Sequence, residues 1–270
     1  MSKDTPPAHK ARKRFGQNFL HDTNIIERIV RAIMPQPGQR LVEIGPGQGA
    51  ITAPLLEAGA DLTAIEIDRD LAAMLRARFA PEPHFHLVEM DVLKFDFASL
   101  GVAPAGLRVL GNLPYNISTP LIFHLLDYAP LIHDMVFMLQ LEVVERMAAV
   151  PGSDAWGRLS VMVQYQCKVE KLFKVPPGAF QPQPKVDSAI VRLTPQRPLP
   201  CAASDPQLFE RVVREAFSQR RKTLRNTLRH LVEPAQFEQL GIDPSRRAET
   251  LALADYVSIA NLLAAGSKSS

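Results

Sequence analysis

The sequence predicts an α/β fold with a mostly parallel, seven-stranded sheet, followed by a small all-α domain. Apolar runs of strand length alternate with helix-periodic segments through residues 41–149, which is the pattern of βαβ units in a parallel sheet. The first of these runs, residues 41–44, leads into a glycine-rich turn at residues 45–49, which is typical of the opening strand and helix of such a sheet. Residues 206–265 are helix-periodic and contain no strand-like run.

The length of 270 residues predicts about two domains. We expect a disordered basic tail over residues 1–11, a sheet domain over 12–197 and a helical domain over 198–270. No apolar run is long enough to cross a membrane, and the first residues do not form a secretory signal. The two cysteines, Cys167 and Cys201, form no Cys-x-x-Cys motif, which indicates a reducing, cytoplasmic compartment and no metal site.

Each element is predicted from its local pattern. Asp22 to Asn24 can cap a first helix, residues 25–34, whose apolar residues recur at helical spacing. Strands are predicted at short apolar runs bounded by turn residues: 41–44, 61–68, 85–90, 107–110, 135–139, 169–175 and 188–193. Further helices are predicted at 51–58, 69–79, 119–128 and 141–149. Residues 158–166 fit a helix or a strand, and we predict a helix; a proline-rich crossing at 176–184 separates the last two strands.

Four candidate ligand-binding residues lie at or next to the ends of successive predicted strands: Gly45, Glu66, Asp91 and Asn112. Ligands bind at the carboxyl ends of the strands in such sheets. Glu66 is placed to accept hydrogen bonds from both ribose hydroxyls, and Asp91 from an adenine amino group. An exposed strand-end acid and a helix cap are the structural alternatives. The pattern fits S-adenosylmethionine (SAM) or a nicotinamide cofactor alike, but not ATP or GTP, because no Gly-Lys-Ser/Thr follows the glycines.

The segment Asn112-Leu113-Pro114-Tyr115 separates these two cofactors. An exocyclic base amine is a poor nucleophile because its lone pair is delocalised into the ring. Two acceptors, the Asn112 side-chain oxygen and a backbone carbonyl oriented by Pro114, would localise the lone pair and aim it at a methyl group. Tyr115, and Phe180 in the proline-rich crossing, offer rings that could sandwich a flipped-out base. A turn with a core tyrosine and a phenylalanine that closes the core are the alternatives.

The net charge of +3 conceals two basic segments. Residues 1–14 carry a net +4 and residues 211–229 a net +6, so the rest of the chain carries −7. Two basic regions on an acidic body indicate a polyanionic partner such as nucleic acid, although a solvated helix face and a mobile tail would show the same runs. The second segment holds Arg211, Arg214, Arg220, Arg221, Lys222, Arg225 and Arg229.

With these motifs present together and in order, the sequence resembles the ribosomal RNA adenine N6-dimethyltransferases, especially their bacterial small-subunit (16S) branch. The motifs are Gly16-Gln17-Asn18-Phe19-Leu20, Glu43-Ile44-Gly45-Pro46-Gly47-Gln48-Gly49, Asn112-Leu113-Pro114-Tyr115 and Phe180-x-Pro-x-Pro-Lys-Val-x-Ser188. The basic run at residues 219–226 also matches this branch. The likeness covers roughly residues 12–263, and the tail before it is not part of the pattern.

The resemblance implies a Rossmann-like, SAM-dependent methyltransferase domain that dimethylates two adjacent adenosines in the 3′-terminal hairpin of small-subunit RNA. The implied SAM site comprises Gln17, Asn18, Leu20, Gly45, Gly47, Glu66, Ile67, Asp91, Val92 and Asn112. The implied target-base site comprises Asn112, Leu113, Pro114, Tyr115 and Phe180. The implied RNA contacts are Arg220, Arg221, Lys222, Arg225, Arg246 and Arg247. The expected partner is the immature small ribosomal subunit, met during ribosome biogenesis by a monomeric enzyme that releases S-adenosylhomocysteine.

Three other functions are weighed against this one. A large-subunit dimethyltransferase of the antibiotic-resistance type would use the same chemistry, but the C-terminal domain resembles the small-subunit branch. A non-catalytic ribosome-assembly or transcription factor on a methyltransferase scaffold is disfavoured because Asn112, Pro114, Tyr115 and Phe180 are all present. A nicotinamide oxidoreductase is the weakest alternative, since no residue is placed to serve hydride transfer.

Overall fold

The computed structural model describes residues 17–114 and 117–267, so the expected tail and Tyr115 lie outside the described residues. The chain divides into two compact units. The first comprises the chain up to Leu141 together with Glu170–Pro195, and the second comprises Glu142–Val169 together with the chain from Gln196 onward. A contiguous boundary near residue 198 therefore does not describe the packing of residues 142–169. Within that stretch the Trp156 indole donates a hydrogen bond to the carbonyl of Leu251, 3.0 Å away in the C-terminal part.

The elements follow one another in the order expected of βαβ units. The strands are β1 (Phe19–Leu20), β2 (Arg40–Ile44), β3 (Asp61–Glu66), β4 (Phe85–Glu89), β5 (Leu107–Asn112), β6 (Ile132–Gln140), β7 (Cys167–Val175), β8 (Phe180–Gln181) and β9 (Ser188–Pro195). The helices are α1 (Thr23–Ile33), α2 (Thr52–Glu57), α3 (Arg69–Arg78), α4 (Ser118–Leu126), α5 (Leu141–Met147), α6 (Arg158–Gln166), α7 (Pro206–Ala216), α8 (Leu224–Thr227), α9 (Pro234–Gln239) and α10 (Leu253–Ser267).

Seven strands form the main sheet, in the order β4-β3-β2-β5-β6-β9-β7. Neighbours from β4 to β6 are parallel, and β9 runs antiparallel to β6. The predicted α/β class and the mostly parallel sheet are thereby confirmed. Because β2 lies between β3 and β5, the strand order reverses at β2, and a crevice opens at the carboxyl ends of such strands.

Helix α1 shows how the sequence pattern produces the packing. Its buried residues Ile25, Ile29 and Ile33 recur every four positions and belong to the same apolar cluster as Leu41 of β2 and residues of the neighbouring strands. The Asp22 side chain caps the helix by accepting hydrogen bonds from the two backbone N–H groups at positions 24 and 25. The helix predicted at residues 25–34 is thus confirmed with its start two residues earlier.

The predicted strands and helices of the sheet region are confirmed to within a few residues at each end, and residues 158–166 form the helix α6. The sequence did not indicate the two-stranded ribbon in which β1 pairs antiparallel with β8. This ribbon joins the N-terminal segment to the proline-rich crossing. Two residues per strand are too few to show a period-two pattern, so only the folded chain reveals it.

The second unit is helical, as the sequence predicts for residues 206–265. Its interior contains Tyr256, which is fully buried and donates a hydrogen bond of 2.5 Å to the Ala248 carbonyl. An isolated antiparallel bridge pairs Thr223 with Arg247. Across both units, none of the helices within residues 17–114 and 117–267 combines the length and apolarity needed to cross a membrane.

Candidate active site

A cavity of about 250 Å³ lies in the first unit at the carboxyl ends of the central strands. Every residue of the expected SAM site lines it: Gln17, Asn18, Leu20, Gly45, Gly47, Glu66, Ile67, Asp91, Val92 and Asn112. Leu113, Pro114 and Phe180 of the expected target-base site line the same cavity. The structure therefore brings these candidates together, whereas Tyr115 lies outside the described residues.

The glycine-rich turn after β2 forms one wall of the cavity. Gly45 and Gly47 have φ angles of +65° and +59°, a region that residues with a Cβ rarely adopt. A Cβ on Gly47 would also lie 3.3 Å from the Phe19 ring, so the turn and the N-terminal segment approach each other closely. The glycines consequently leave room for a ligand against the backbone.

Glu66 ends β3 and is only 5% exposed. Its Oε1 accepts a hydrogen bond of 2.9 Å from the backbone N–H of Asp68, and backbone N–H groups of Gly47 and Ile67 also bond to the carboxylate. Burial raises the pKa of Glu66, and these N–H groups lower it in part. A carboxylate fixed in this way is oriented to receive further donors from a ligand.

Glu43 is a second buried carboxyl on the cavity wall, and the sequence analysis gave it no role of its own. It is 2% exposed, and Thr52 Oγ1 donates a hydrogen bond of 2.6 Å to its Oε2. Its pKa is raised to about 7, mainly by burial; the hydrogen bond from Thr52 lowers the pKa in part, and the nearby charge of Glu66 adds to the rise. The signal in the sequence is an acidic residue inside an otherwise apolar strand, where an unpaired charge is costly.

Asp91 and Ile67 form the side of the cavity next to β3 and β4. The Asp91 carboxylate accepts a hydrogen bond of 3.0 Å from the Leu93 backbone N–H and so caps a short 3₁₀ helix at Val92–Lys94. The helix-cap alternative is thus realised, and the same carboxylate also lines the cavity. The Ile67 side chain is 48% exposed despite its apolar character, which leaves an open apolar surface beside two acids.

Asn112 ends β5, next to the glycine turn. Its Nδ2 donates a hydrogen bond of 3.2 Å to the carbonyl of Asn18. Because the amide group is planar, this bond turns Oδ1 to the opposite side. Gly111 permits the arrangement: a Cβ there would lie 2.4 Å from the Ile44 carbonyl oxygen, so any side chain would push β5 away from β2.

Residues Gln17–Leu20, here called the N-terminal strap, lie along the cavity. The strap is bonded at several points to separate parts of the unit. Gln17 Nε2 donates to Asp68 Oδ2 at 3.0 Å, the Asn18 carbonyl accepts from Asn112, and Phe19–Leu20 pair with Phe180–Gln181. Phe19 also lines the cavity.

Phe180 is held in two environments at once. Its side chain is 2% exposed and belongs to the apolar cluster that includes Leu20 and Leu110, which is the core-closing alternative. It also lines the cavity beside Pro114. Its position opposite Tyr115 stays a prediction because Tyr115 is outside the described residues.

The second unit brings together two basic segments of its own, residues 220–225 and residues 246–247. Backbone N–H groups of Leu224 and Arg225 donate to the carbonyls of Arg246 and Pro244, each at 2.9 Å, beside the bridge from Thr223 to Arg247. Arg220 Nη2 donates to the Asp154 carbonyl at 3.0 Å, which fixes the start of the first segment. The exposed basic side chains of the two segments are Arg220, Arg221, Lys222, Arg225 and Arg247, and Arg246 is half-buried.

Among the residues that the structure describes, no three His, Cys, Asp or Glu side chains lie close enough to share a metal ion.

A sheet of this order, with a glycine turn and strand-end carboxylates around a cavity at its switch point, defines a Rossmann-like methyltransferase. Residues 8–265 match the model of the ribosomal RNA adenine dimethylase family, and the chain belongs to that family, as the motifs predict. Over 256 residues it is 63% identical to the ribosomal RNA small subunit methyltransferase A of Pseudomonas aeruginosa, covering 95% of this chain and 96% of the relative.

Two solved structures share the fold over most of the chain. A dimethyladenosine transferase from Plasmodium falciparum superposes with a TM-score of 0.78 at 28% identity, over 93% of this chain and 98% of the other. The 23S rRNA methyltransferase ErmE superposes with a TM-score of 0.69 at 27% identity, over 92% and 100% respectively. Both likenesses extend through the helical unit as well as the sheet.

Proposed function

We propose that this chain transfers methyl groups from SAM to N6 of two adjacent adenosines in the 3′-terminal hairpin of small-subunit ribosomal RNA, two methyl groups to each. The observation that carries the proposal is the position of Asn112, whose amide is fixed by the strap in the same cavity as Glu66 and the glycine turn. The 63% identity to a small-subunit methyltransferase, against 27% to a 23S enzyme, supports the choice of RNA.

The residues around the cavity fit SAM. Glu66, whose Oε1 accepts from the Asp68 backbone N–H, can also accept from the ribose hydroxyls. The exposed side chain of Ile67 and the Asp91 carboxylate can hold the face and the amino edge of an adenine. Gly45 and Gly47 leave room for the methionine part. The buried Glu43 accepts its hydrogen bond from a neutral hydroxyl, that of Thr52, so its carboxylate favours a cationic ligand.

Catalysis is proposed to be a matter of positioning and electrostatics. Asn112 Oδ1 and the backbone carbonyl of residue 113 or 114 would accept from the two N–H groups of the target amine, so its lone pair points toward the methyl group. SAM supplies a methyl group on a sulfonium: the N–C bond forms as the C–S bond breaks, the sulfur leaves as a neutral thioether, and the amine proton passes to water. Tyr115 and Phe180 are proposed to stack on the flipped-out base.

The two basic segments of the second unit are proposed to bind RNA phosphates. Five of their six cationic side chains are exposed and Arg246 is half-buried. Backbone hydrogen bonds hold the two segments side by side, an arrangement that can neutralise a phosphate backbone. A hairpin supplies unpaired adenines that are cheap to flip. We propose that the substrate is an immature small subunit and that the chain acts in the cytoplasm as a monomer.

The test is methyl incorporation from labelled SAM into small ribosomal subunits that lack adenine dimethylation. Incorporation at N6 of adjacent adenosines, lost in Asn112→Ala and kept in the surface control Asn24→Ala, is the expected result. Incorporation only into large-subunit RNA would show that the proposed RNA substrate is wrong. Binding of SAM with transfer to neither RNA would leave a binding factor, and absence of SAM binding would refute the assignment of the cavity.

A further inference from the structure

A chain of hydrogen bonds passes from the carboxylate at the end of β3 to the amide at the end of β5 by way of the N-terminal strap. We propose that Gln17 is a positioning residue: bonded to Asp68, it holds the strap so that the Asn18 carbonyl fixes the Asn112 amide with its oxygen toward the target amine. This inference rests on the proposed function, since it assigns Gln17 a part in the transfer step.

The first end of this chain is anchored at the carboxyl end of β3. Asp68 is 1% exposed and caps α3, because its Oδ1 accepts from the Asp70 N–H at 3.0 Å. Its own N–H donates to Glu66 Oε1 at 2.9 Å. Its other oxygen, Oδ2, accepts from Gln17 Nε2 at 3.0 Å. Gln17 is therefore attached to a buried carboxylate whose position is set by a helix cap.

The second end lies at the proposed base site. The Asn18 carbonyl accepts from Asn112 Nδ2 at 3.2 Å. Gln17 and Asn18 are consecutive, and a trans peptide fixes their Cα atoms about 3.8 Å apart. A displacement of Gln17 therefore reaches the carbonyl that orients the Asn112 amide. Phe19 and Leu20 of the strap are held by pairing with β8. The bond to Asp68 holds the other end of the strap, at Gln17.

The direction of the Gln17–Asp68 bond can be reversed by mutation. In Gln17→Glu two acceptors face each other, and the bond is lost. In the double variant Gln17→Glu/Asp68→Asn, the new Asn Nδ2 can donate to the new carboxylate while its oxygen still caps α3. Gln17→Met removes the polar group at similar length, and Gln36→Glu controls for charge at an exposed site.

We expect Gln17→Glu and Gln17→Met to lower kcat about tenfold or more, since small misplacements of reacting groups are costly, while the Kd for SAM changes by a smaller factor. The double variant should regain most of the kcat that Gln17→Glu loses, and Gln36→Glu, at an exposed site, should retain the kcat of the wild type. The measurements are single-turnover transfer to small subunits, calorimetric SAM binding, and thermal unfolding of each variant.

Three outcomes would overturn the inference. The first is an unchanged kcat in Gln17→Glu and Gln17→Met. The second is a loss of SAM affinity as large as the loss of kcat, which would make Gln17 a plain cofactor ligand. The third is a double variant that folds and binds SAM but stays as slow as Gln17→Glu. A wild-type chain without transfer activity would instead refute the proposed function, and so the two failures are distinguishable.

Discussion

Replacing Glu43 by Gln should stabilise the protein above pH 7 and have a much smaller effect near pH 5. The folded chain raises the pKa of Glu43 from 4.5 to about 7, so the unfolded chain loses this proton at lower pH than the folded chain does. Stability therefore falls as pH rises between these two values and is level above about pH 7. A shift of this size corresponds to roughly 3 kcal/mol. Gln has no proton to lose in this range, and its oxygen can still accept from Thr52 Oγ1.

The assay is urea unfolding of the wild type and Glu43→Gln without ligand, at pH 5 and pH 8. The difference in unfolding free energy between the two proteins should grow by about 3 kcal/mol toward pH 8. Glu57→Gln is the matched control, because Glu57 is exposed at the end of α2. Parallel pH dependence of wild type and Glu43→Gln would refute the reasoning from burial.

The ionised Glu43 carboxylate, which lowers stability without ligand, should strengthen the binding of a cationic ligand. Above pH 7 the Glu43 carboxylate is ionised and faces the cavity, so a cationic ligand compensates a charge that burial disfavours. We therefore expect Glu43→Gln to bind SAM more weakly than the wild type at pH 8 and with a smaller difference at pH 5. Titration calorimetry at the two pH values measures this, and equal affinity at both would show that Glu43 does not sense the ligand.

Three further predictions concern the strand contact, the RNA surface and the helical unit. Gly111→Ala should lower transfer activity and stability together, because its Cβ would displace the Ile44 backbone next to Asn112; unchanged activity and unfolding curves would contradict this. Arg221→Glu should weaken RNA binding and flatten its salt dependence while sparing SAM affinity, and unchanged RNA affinity at moderate salt would exclude Arg221 from the interface. Tyr256→Phe should lower the unfolding free energy by about 1–2 kcal/mol through loss of the bond to Ala248, as measured by urea unfolding; a change near zero would show that this bond is not a net stabiliser.

The residues that the sequence predicts well are those whose chemistry is local. Glu66 and Asn112 are the last residues of the apolar strands β3 and β5, so the end of each strand and the position of its polar side chain come from one pattern. Gly45 and Gly47 likewise mark a turn whose positive φ angles require glycine. Parallel pairing then brings these ends to one edge of the sheet.

The features that the sequence does not predict depend on contacts between distant residues. The strap pairs with residues about 160 positions away, and a two-residue strand carries no periodic signal. Glu43 stands in the motif at residues 43–49, yet its raised pKa follows mainly from its burial in the folded chain. From its spacing in the sequence, Phe180 could either stack on a base or close the core. In the structure its side chain is buried and also lines the cavity.

These distant contacts lie where the proposed chemistry needs them most. The target amine needs no base to remove its proton before attack, so the rate depends on how well the donor methyl and the amine lone pair are aligned. Alignment requires the proposed SAM site, on β2 and β3, to be fixed relative to the proposed base site, which begins at the end of β5. The strap supplies that connection through Asp68 on one side and Asn112 on the other. The pairing of β2 with β5 fixes the two strand ends at the level of the backbone, and the strap adds the hydrogen bond that orients the Asn112 amide between them.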